Sequence, residues 1–228
     1  QSGIDYDQTF SATLRYSSAR ALFAYAAKCG CEIRSIDYVA AYLQGDFIEG
    51  ETVYCHMPPG YERYDEAGKP YVCKILKPIY GIPQAGRRLQ RKVFPWMVEI
   101  MKLRRLDDSD ACVFIYDDPR NLERLAVGVY VDNLQIVHSA KLNKAGDAID
   151  KSSKYHEFIT RLRNDWDIVD EGPMVDLLAI EVKRLPNVSI KLHQESYVAK
   201  LLAKYLPNGP PNGSRKDSLP YSDNVLMH

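Results

Sequence analysis

The chain has 228 residues, 46% of them hydrophobic, and is long enough to bury the core of one domain. Its 30 basic and 30 acidic residues cancel, which excludes attraction to nucleic acid through net charge alone. Every apolar run is shorter than the roughly 18 residues of a membrane span, no secretory signal opens the sequence, and the cysteines lack the spacing of a zinc site or a disulfide framework.

The first third of the chain predicts a helix, a strand and a hairpin. Ser17 can cap a helix whose apolar residues recur at helical spacing as far as Gly30, a residue that commonly ends helices. A strand then leads into Asp37. Residues 52–57 and 71–76 alternate as two short strands, and the turn residues between them predict a hairpin.

The basic residues are concentrated in the middle of the chain. From Lys74 to Arg105 there are nine Lys or Arg and a single acid, Glu99. This distribution suits contact with a phosphate backbone, although on its own it also fits a solvated helix face. Residues 84–104 predict a basic helix that Pro95 should kink or split, because proline has no backbone N–H to donate.

The second half predicts a hairpin, two helices and two further strands. Residues 124–139 are typical of a β-hairpin with Asp132 and Asn133 at its tip. Strands are predicted at 175–184 and 188–192. Two helices carry apolar stripes, one formed by Tyr155, Phe158, Ile159, Leu162 and Trp166 and the other by Tyr197, Val198, Leu201, Leu202 and Tyr205. Residues 207–228 have no periodicity and predict a flexible linker.

Asp37 and Asp132 share a setting that indicates metal chemistry. Each follows an apolar, β-prone run, where a strand gives way to a turn and a carboxylate can face solvent. Together at one sheet edge they would form a magnesium site, because Mg²⁺ takes one or two protein carboxylates plus substrate phosphates. A pair of such ions can stabilise the attacking and leaving oxygens of a phosphoryl transfer. Taken alone, Asp132 fits an ordinary hairpin turn.

Eight segments stand in the order and spacing found in one family of polymerases. These segments are 3–10, 36–46, 53–61, 72–74, 79–85, 109–115, 130–132 and 177–182. Through them the chain resembles the copia-type retrotransposon reverse transcriptases, over roughly residues 3–206. One segment would be weak evidence, but eight in register are hard to reach by chance.

The resemblance implies an α+β fold, a polymerase palm with an antiparallel sheet, helices on one face and incomplete fingers, over residues 1–206. It implies an RNA-directed DNA polymerase, a nucleotidyltransferase whose two Mg²⁺ ions are held by Asp37 and Asp132. Tyr42 matches the aromatic residue that excludes a ribose 2′-hydroxyl, although on its own it fits a core aromatic. Gln84 matches a residue near the template and nascent base pair, where an amide can both donate and accept.

The resemblance also assigns residues that contact the substrates. Tyr130 falls in the matched segment beside Asp132 and is expected to contact substrate. The family's strand that contacts the incoming triphosphate lies upstream of the glycine matched by Gly3, so Arg15 is a candidate substitute. We expect the nucleic acid to contact the basic residues of the predicted helix, namely Arg87, Arg88, Arg91 and Lys92.

One catalytic position departs from the family. Its second motif reads Tyr-Val-Asp-Asp, whereas this chain has Asn133 at the last place. An amide carries no negative charge, so the field on the metals should be weaker. We therefore expect an impaired copy that Asn133→Asp would strengthen.

Two alternatives stay open. A transposon-derived remnant could bind nucleic acid or a partner protein without catalysis, and a nucleotidyl cyclase or a different polymerase would also use Asp37 and Asp132. For a reverse transcriptase, the implied partners are an RNA or DNA template with primer, deoxynucleoside triphosphates and a downstream ribonuclease H segment of a parent polyprotein, with no membrane. The expected location is intracellular, in cytoplasmic particles of the parent element, with the nucleus as the alternative.

Overall fold

The structure is a computed structural model that describes residues 9–118, 120, 122–186 and 188–207. Its α-helices are α1 (Tyr16–Cys29), α2 (Ala85–Pro95), α3 (Lys154–Asp165) and α4 (Glu195–Tyr205). Its strands are β1 (Glu32–Tyr38), β2 (Val53–His56), β3 (Val72–Ile75), β4 (Arg104–Leu106), β5 (Asp110–Asp118), β6 (Glu123–Tyr130), β7 (Asn133–His138), β8 (Ile168–Pro173), β9 (Asp176–Leu177), β10 (Ile180–Arg184) and β11 (Ile190–His193). Within these ranges, every helix is too short or too polar to cross a membrane.

The chain divides into two compact units. Among the described residues, one unit contains those from 9 to 174 and from 184 to 190, and the other contains those from 175 to 183 and from 191 to 207. The sequence predicted one domain over residues 1–206, and that assignment stays a prediction. The predicted linker, 207–228, lies outside the described residues except for Pro207.

The first unit is built on a six-stranded sheet in the order β4-β5-β6-β7-β1-β8. Every neighbouring pair in this sheet is antiparallel. Together with the helices, this sheet confirms the predicted α+β class. The second unit contains α4 and the short pair β9–β10, which is also antiparallel.

Helices cover both faces of the six-stranded sheet, so the prediction of helices on one face is wrong. Gln135 of β7 donates to the carbonyl of Ala19 in α1 over 3.3 Å. His138 of the same strand stacks on Tyr155 of α3, with ring centroids 3.6 Å apart. Residues 135 and 138 point to opposite faces because side chains alternate along a strand. Both faces of β7 are buried from Leu134 onward, and each is therefore covered by a helix.

The first helix and the basic helix form close to their predicted positions. α1 begins at Tyr16 with Arg15 as its N-cap, so Ser17 lies inside the helix instead of capping it. Gly30 ends α1 in the left-handed conformation, with φ of 64°. The basic helix changes at Pro95 as predicted: α2 ends there, and a π-helical turn over Trp96–Ile100 follows it. The predicted helix is too long, however, because β4 begins at Arg104.

The predicted hairpin near residue 65 is confirmed. β2 and β3 are antiparallel, with Cys55 opposite Cys73. In the loop between them, the Asp65 carboxylate accepts from the amides of Ala67 at 3.0 Å and Lys69 at 2.8 Å. These bonds let a side chain close the turn, which is why aspartate is common in turns. The assignment of this hairpin to polymerase fingers stays a prediction.

Two turns differ from their predicted positions. In the β6–β7 hairpin the turn is formed by Val131 and Asp132, and Asn133 is already the first residue of β7. The predicted strand 175–184 is divided by Leu178 and Ala179, whose φ angles of 54° and 64° reverse the chain between β9 and β10. A type I′ hairpin turn needs such positive φ values at both central residues, and neither leucine nor alanine signals them in a sequence.

Candidate active site

Asp37 and Asp132 lie at the same edge of the six-stranded sheet. Asp37 is one residue from the end of β1 and is the Cα partner of Asn133 on β7. Asp132 precedes Asn133, and its carbonyl accepts from the amide of Tyr38 over 2.8 Å. Adjacent strands therefore bring the two carboxylates to one edge, because β1 ends where β7 begins.

The environment of Asp37 disfavours its negative charge. Burial raises the pKa of the Asp37 carboxyl, and the charges of Asp132 and Glu171 raise it further. A carboxyl group has a higher pKa when another carboxylate is near, because ionising it would place two negative charges close together. A divalent cation at this edge would relieve that repulsion.

The two carboxylates could bind a magnesium ion that also has ligands from outside the protein, but they could not enclose one by themselves. Mg²⁺ usually keeps waters and substrate phosphates and takes only one or two protein carboxylates. Across the described residues, no group of three or more His, Cys, Asp and Glu is arranged to hold a metal ion by itself. Two carboxylates are within the number of protein ligands that Mg²⁺ usually takes, so Asp37 and Asp132 fit such an ion.

Asn133 is tied to the neighbouring strands through Ser35. The Ser35 hydroxyl donates to Oε2 of Glu171 on β8 over 2.6 Å. Since that hydroxyl has one hydrogen, its oxygen is left to accept from Nδ2 of Asn133, which lies 3.2 Å away. Ser35 lies in β1 and is buried, with 4% of its surface exposed, so the hydrogen bonds that join Asn133, Ser35 and Glu171 are anchored in the sheet.

Two tyrosines stand next to Asp132. The rings of Tyr42, in the 3₁₀ helix Ala41–Gln44, and Tyr80 have centroids 4.4 Å apart. The Tyr80 hydroxyl donates to Oδ2 of Asp132 over 3.4 Å. Burial raises the pKa of the Tyr42 hydroxyl, and the charge of Asp132 raises it further. The Tyr42 ring therefore lies on the side of the sheet edge that carries Asp132.

Gln84 and Arg88 are buried around a glutamate. Gln84 is 2% exposed and its Nε2 donates to Oε1 of Glu51 over 3.2 Å. Arg88, 4% exposed, donates to both carboxylate oxygens of Glu51 at 2.8 and 3.1 Å. Although burial raises the Glu51 pKa, these hydrogen bonds and the Arg88 charge hold it below its usual value. The guanidinium of Arg88 is enclosed by protein and bonded to Glu51, which disfavours the expected contact with nucleic acid, and that contact stays a prediction.

The other three basic residues of α2 differ in their exposure and in their ion pairs within the protein. Lys92 forms an ion pair with Asp46 at 3.0 Å and donates to the Gln44 carbonyl at 2.9 Å. Arg91 is exposed and Arg87 is half-buried. Within the described part of the chain, no ion pair involves Arg87 or Arg91. These two arginines are therefore the ones that can meet a phosphate without breaking an internal bond.

Arg15 and Tyr130 lie near the same edge of the sheet. The Arg15 amide donates to Oδ2 of Asp110 over 2.8 Å, and its side chain is exposed. Asp110 begins β5 at the edge where the antiparallel β6 ends with Tyr130. Tyr130 is half-buried and is the Cα partner of Asn133. A contact between either residue and substrate stays a prediction.

Three residues of the site, Tyr80, Glu51 and Glu171, were not predicted from the sequence. Tyr80 belonged to a matched segment, 79–85, which could have marked it. Glu51 and Glu171 gave no local signal, since each reaches its partners from a distant part of the chain.

A six-stranded antiparallel sheet with two aspartates at one edge agrees with the nucleotidyltransferase class predicted from the motifs. The chain belongs to the reverse transcriptase (RNA-dependent DNA polymerase) family, whose sequence model matches residues 1–209. The predicted resemblance to copia-type retrotransposon reverse transcriptases is thereby confirmed.

The relatives are retrotransposon polyproteins of plants. The chain is 29% identical over 216 residues to the "Retrovirus-related Pol polyprotein from transposon TNT 1-94" of Nicotiana tabacum, covering 92% of this chain and 14% of the polyprotein. It is 28% and 29% identical to the corresponding polyproteins of transposons RE1 and RE2 of Arabidopsis thaliana, covering 89% of this chain and 12% of each. The chain thus spans about one eighth of these relatives' length. No solved structure shows a significant match to it.

Proposed function

We propose that this chain is the polymerising part of a retrotransposon Pol polyprotein and extends a primer by two-magnesium nucleotidyl transfer. The observation that carries this proposal is the meeting of Asp37 and Asp132 at one sheet edge, in a chain of the reverse transcriptase family. The six-stranded sheet with α1, α2 and α3 corresponds to the palm, and the β2–β3 hairpin to part of the fingers.

In this proposal the carboxylates of Asp37 and Asp132 hold the metal ions together with the phosphates of the substrate. Bound Mg²⁺ would activate the primer 3′-hydroxyl and stabilise the departing pyrophosphate. Tyr80 orients the Asp132 carboxylate through its hydroxyl. Tyr42, supported by the Tyr80 ring, stands where it can exclude a ribose 2′-hydroxyl by its bulk.

In this proposal, cationic side chains of α2 bind the phosphates of the nucleic acid. Arg87 and Arg91 meet the phosphates, because neither is committed to an internal ion pair among the described residues. Gln84 is buried at the start of α2 and is bonded to Glu51, so it positions this end of the helix. Its effect on the template is indirect, through the residues around it. Arg15 and Tyr130 lie at the same sheet edge, where they contact the substrate in this proposal.

The partners we propose are an RNA or DNA template with a primer, deoxynucleoside triphosphates and, in the parent polyprotein, a downstream ribonuclease H segment. The location we propose is the cytoplasmic particle of the parent element. These assignments rest on the family and on the names of the relatives.

Primer extension on a homopolymer template with Mg²⁺ tests the proposal. We expect the parent chain to extend the primer and Asp37→Asn to suppress synthesis by orders of magnitude, while Glu66→Gln, an exposed glutamate in the β2–β3 loop, leaves the rate unchanged. Full synthesis by Asp37→Asn would exclude its proposed role.

A second candidate is a module that binds nucleic acid without catalysis, and Asn133 is the observation that favours it. It predicts salt-sensitive binding of template–primer together with no extension by the parent at any Mg²⁺ concentration. With the family shown, a nucleotidyl cyclase or a different polymerase is no longer supported.

A further inference from the structure

Asn133, Ser35 and Glu171 form a hydrogen-bonded group next to Asp37, and the role inferred for it rests on the proposed function. We propose that Asn133 and Glu171 are a matched pair joined through Ser35, in which Glu171 supplies the additional negative charge of the active edge and Asn133 holds it in place. Asn133 is then a compensated position, and replacing it alone with aspartate does not improve the site, which is the opposite of the expectation drawn from the sequence.

A bulge in β8 is what presents Glu171 to this edge. On β1, Ser35 is opposite Gly172 and Ile36 is opposite Asp170, so Glu171 has no partner in the register. An extra residue of this kind bends its strand and re-aims a side chain, often next to active sites. Gly172 makes the bend possible, because its φ of 85° is strained for other residues. The Glu171 carboxylate thereby reaches the Ser35 hydroxyl.

The Ser35 hydroxyl distinguishes an amide from a carboxylate at position 133. Its single hydrogen goes to Glu171, whose Oε2 is 2.6 Å away, and not to Oδ1 of Asn133 at 3.3 Å, so a group at position 133 bonds the Ser35 oxygen only by donating to it. Asn133 does so through Nδ2 at 3.2 Å. An ionised aspartate has no hydrogen to donate and would compete with Glu171 for the same one.

Charge gives a second reason for the pairing. Asn133 stands opposite Asp37 on the adjacent strand, and like charges in opposite positions destabilise a sheet. Glu171 is close enough to Asp37 to raise the pKa of its carboxyl. With Asp132 also at this edge, aspartate at 133 would be a fourth carboxylate in a site that already holds three.

Variants of the chain test the pair without relying on polymerisation. They are Ser35→Ala, and Asn133→Asp, Glu171→Gln and the double variant, each made alone and again together with Ser35→Ala. Glu66→Gln is the control that removes one exposed charge elsewhere. Thermal unfolding is followed without divalent ions, and Mn²⁺ affinity is measured by paramagnetic resonance titration. Asp37→Asn shows whether the bound Mn²⁺ is at the proposed site.

We expect Asn133→Asp alone to lower the unfolding temperature by several degrees and the double variant to regain most of that loss. Glu171→Gln should weaken Mn²⁺ binding at least threefold, and the double variant should bind within twofold of the parent. In the Ser35→Ala background, most of the coupling between positions 133 and 171 should disappear. Glu66→Gln should change neither quantity.

Additive effects of the two substitutions on unfolding and on Mn²⁺ affinity would overturn the pairing. Failure of the proposed function has a different signature. In that case Mn²⁺ binding is insensitive to Asp37→Asn and no variant extends a primer, while the unfolding temperatures still decide whether positions 133 and 171 are coupled.

Discussion

The hydroxyl of Tyr80 donates to Oδ2 of Asp132 over 3.4 Å, although 52 residues separate the two in the chain. This bond joins the segment before α2 to the turn between β6 and β7. It also fixes the ring against which Tyr42 rests, since the two rings are 4.4 Å apart. The proposed sugar contact and the proposed metal ligand are therefore parts of one arrangement.

Tyr42→Val should raise ribonucleotide incorporation relative to deoxynucleotide incorporation. The smaller side chain opens space that the half-buried ring now occupies next to Asp132. The measurement is the ratio of kcat/KM for matched ribo- and deoxynucleotides in single-nucleotide extension. Tyr80→Phe is the control: it keeps the ring that supports Tyr42 and removes only the hydroxyl. An unchanged ratio in Tyr42→Val would make this residue a packing aromatic.

Replacing Arg87 and Arg91 with glutamine should flatten the salt dependence of template–primer binding. Each lost phosphate contact should reduce the log–log slope by roughly 0.7 to 0.9. Fluorescence anisotropy over a salt series measures this slope. Lys144→Gln, an exposed lysine in the loop after β7, is the control. A parent slope near zero would mean that this face of α2 is only solvated.

Arg88→Met should destabilise the fold and leave the salt slope unchanged. The substitution leaves the Glu51 carboxylate, 8% exposed, without the cation that holds it. Removing one member of a buried ion pair costs roughly 3 kcal/mol or more. Chemical denaturation gives the free energy of unfolding. If stability were unaffected and the salt slope fell, Arg88 would be a phosphate contact after all.

Stability should fall as the pH drops below the usual pKa of histidine, because His138 resists protonation. Its ring is fully buried against Tyr155, and burial, followed by the Arg34 charge, lowers its pKa from 6.5 to about 4. The unfolded chain takes up the proton first, so the stabilisation present above pH 6.5 is lost as the pH falls toward about 4. The full effect corresponds to about 3 kcal/mol.

Denaturation of the parent and of His138→Phe between these pH values measures the effect. The phenylalanine keeps a stacked ring and cannot be protonated, so its stability should depend less on pH. Equal slopes for the two proteins would show that other groups cause the acid sensitivity.

Mild oxidation should link Cys55 to Cys73. The two residues are Cα partners across β2 and β3, and Cα atoms in such pairs lie about 4.5 or 5.5 Å apart, within the range of a disulfide. Peptide mapping by mass spectrometry identifies the link, and Cys55→Ser should abolish it. A preferred link from Cys73 to Cys29 instead would contradict the hairpin register.

Local patterns were enough for the elements whose cause is local. Apolar spacing and Gly30 located α1, Pro95 marked the end of α2, and the Asp65 turn signalled the hairpin of β2 and β3. Motif order pointed to the polymerase family before any fold was known. The signals for these elements are carried by residues a few positions apart, and the order of the motifs is itself a property of the linear sequence.

Tertiary structure alone decided the pairings that build the site. The covering of both sheet faces, the enclosure of Arg88 by Glu51 and the bulge that turns Glu171 toward Ser35 join residues far apart in sequence. A basic residue in a helix has the same sequence signature whether it faces solvent or a buried carboxylate. Which of these it faces depends on the free energy of the whole packed arrangement, because burying a charge is tolerated only where a distant segment supplies its partner.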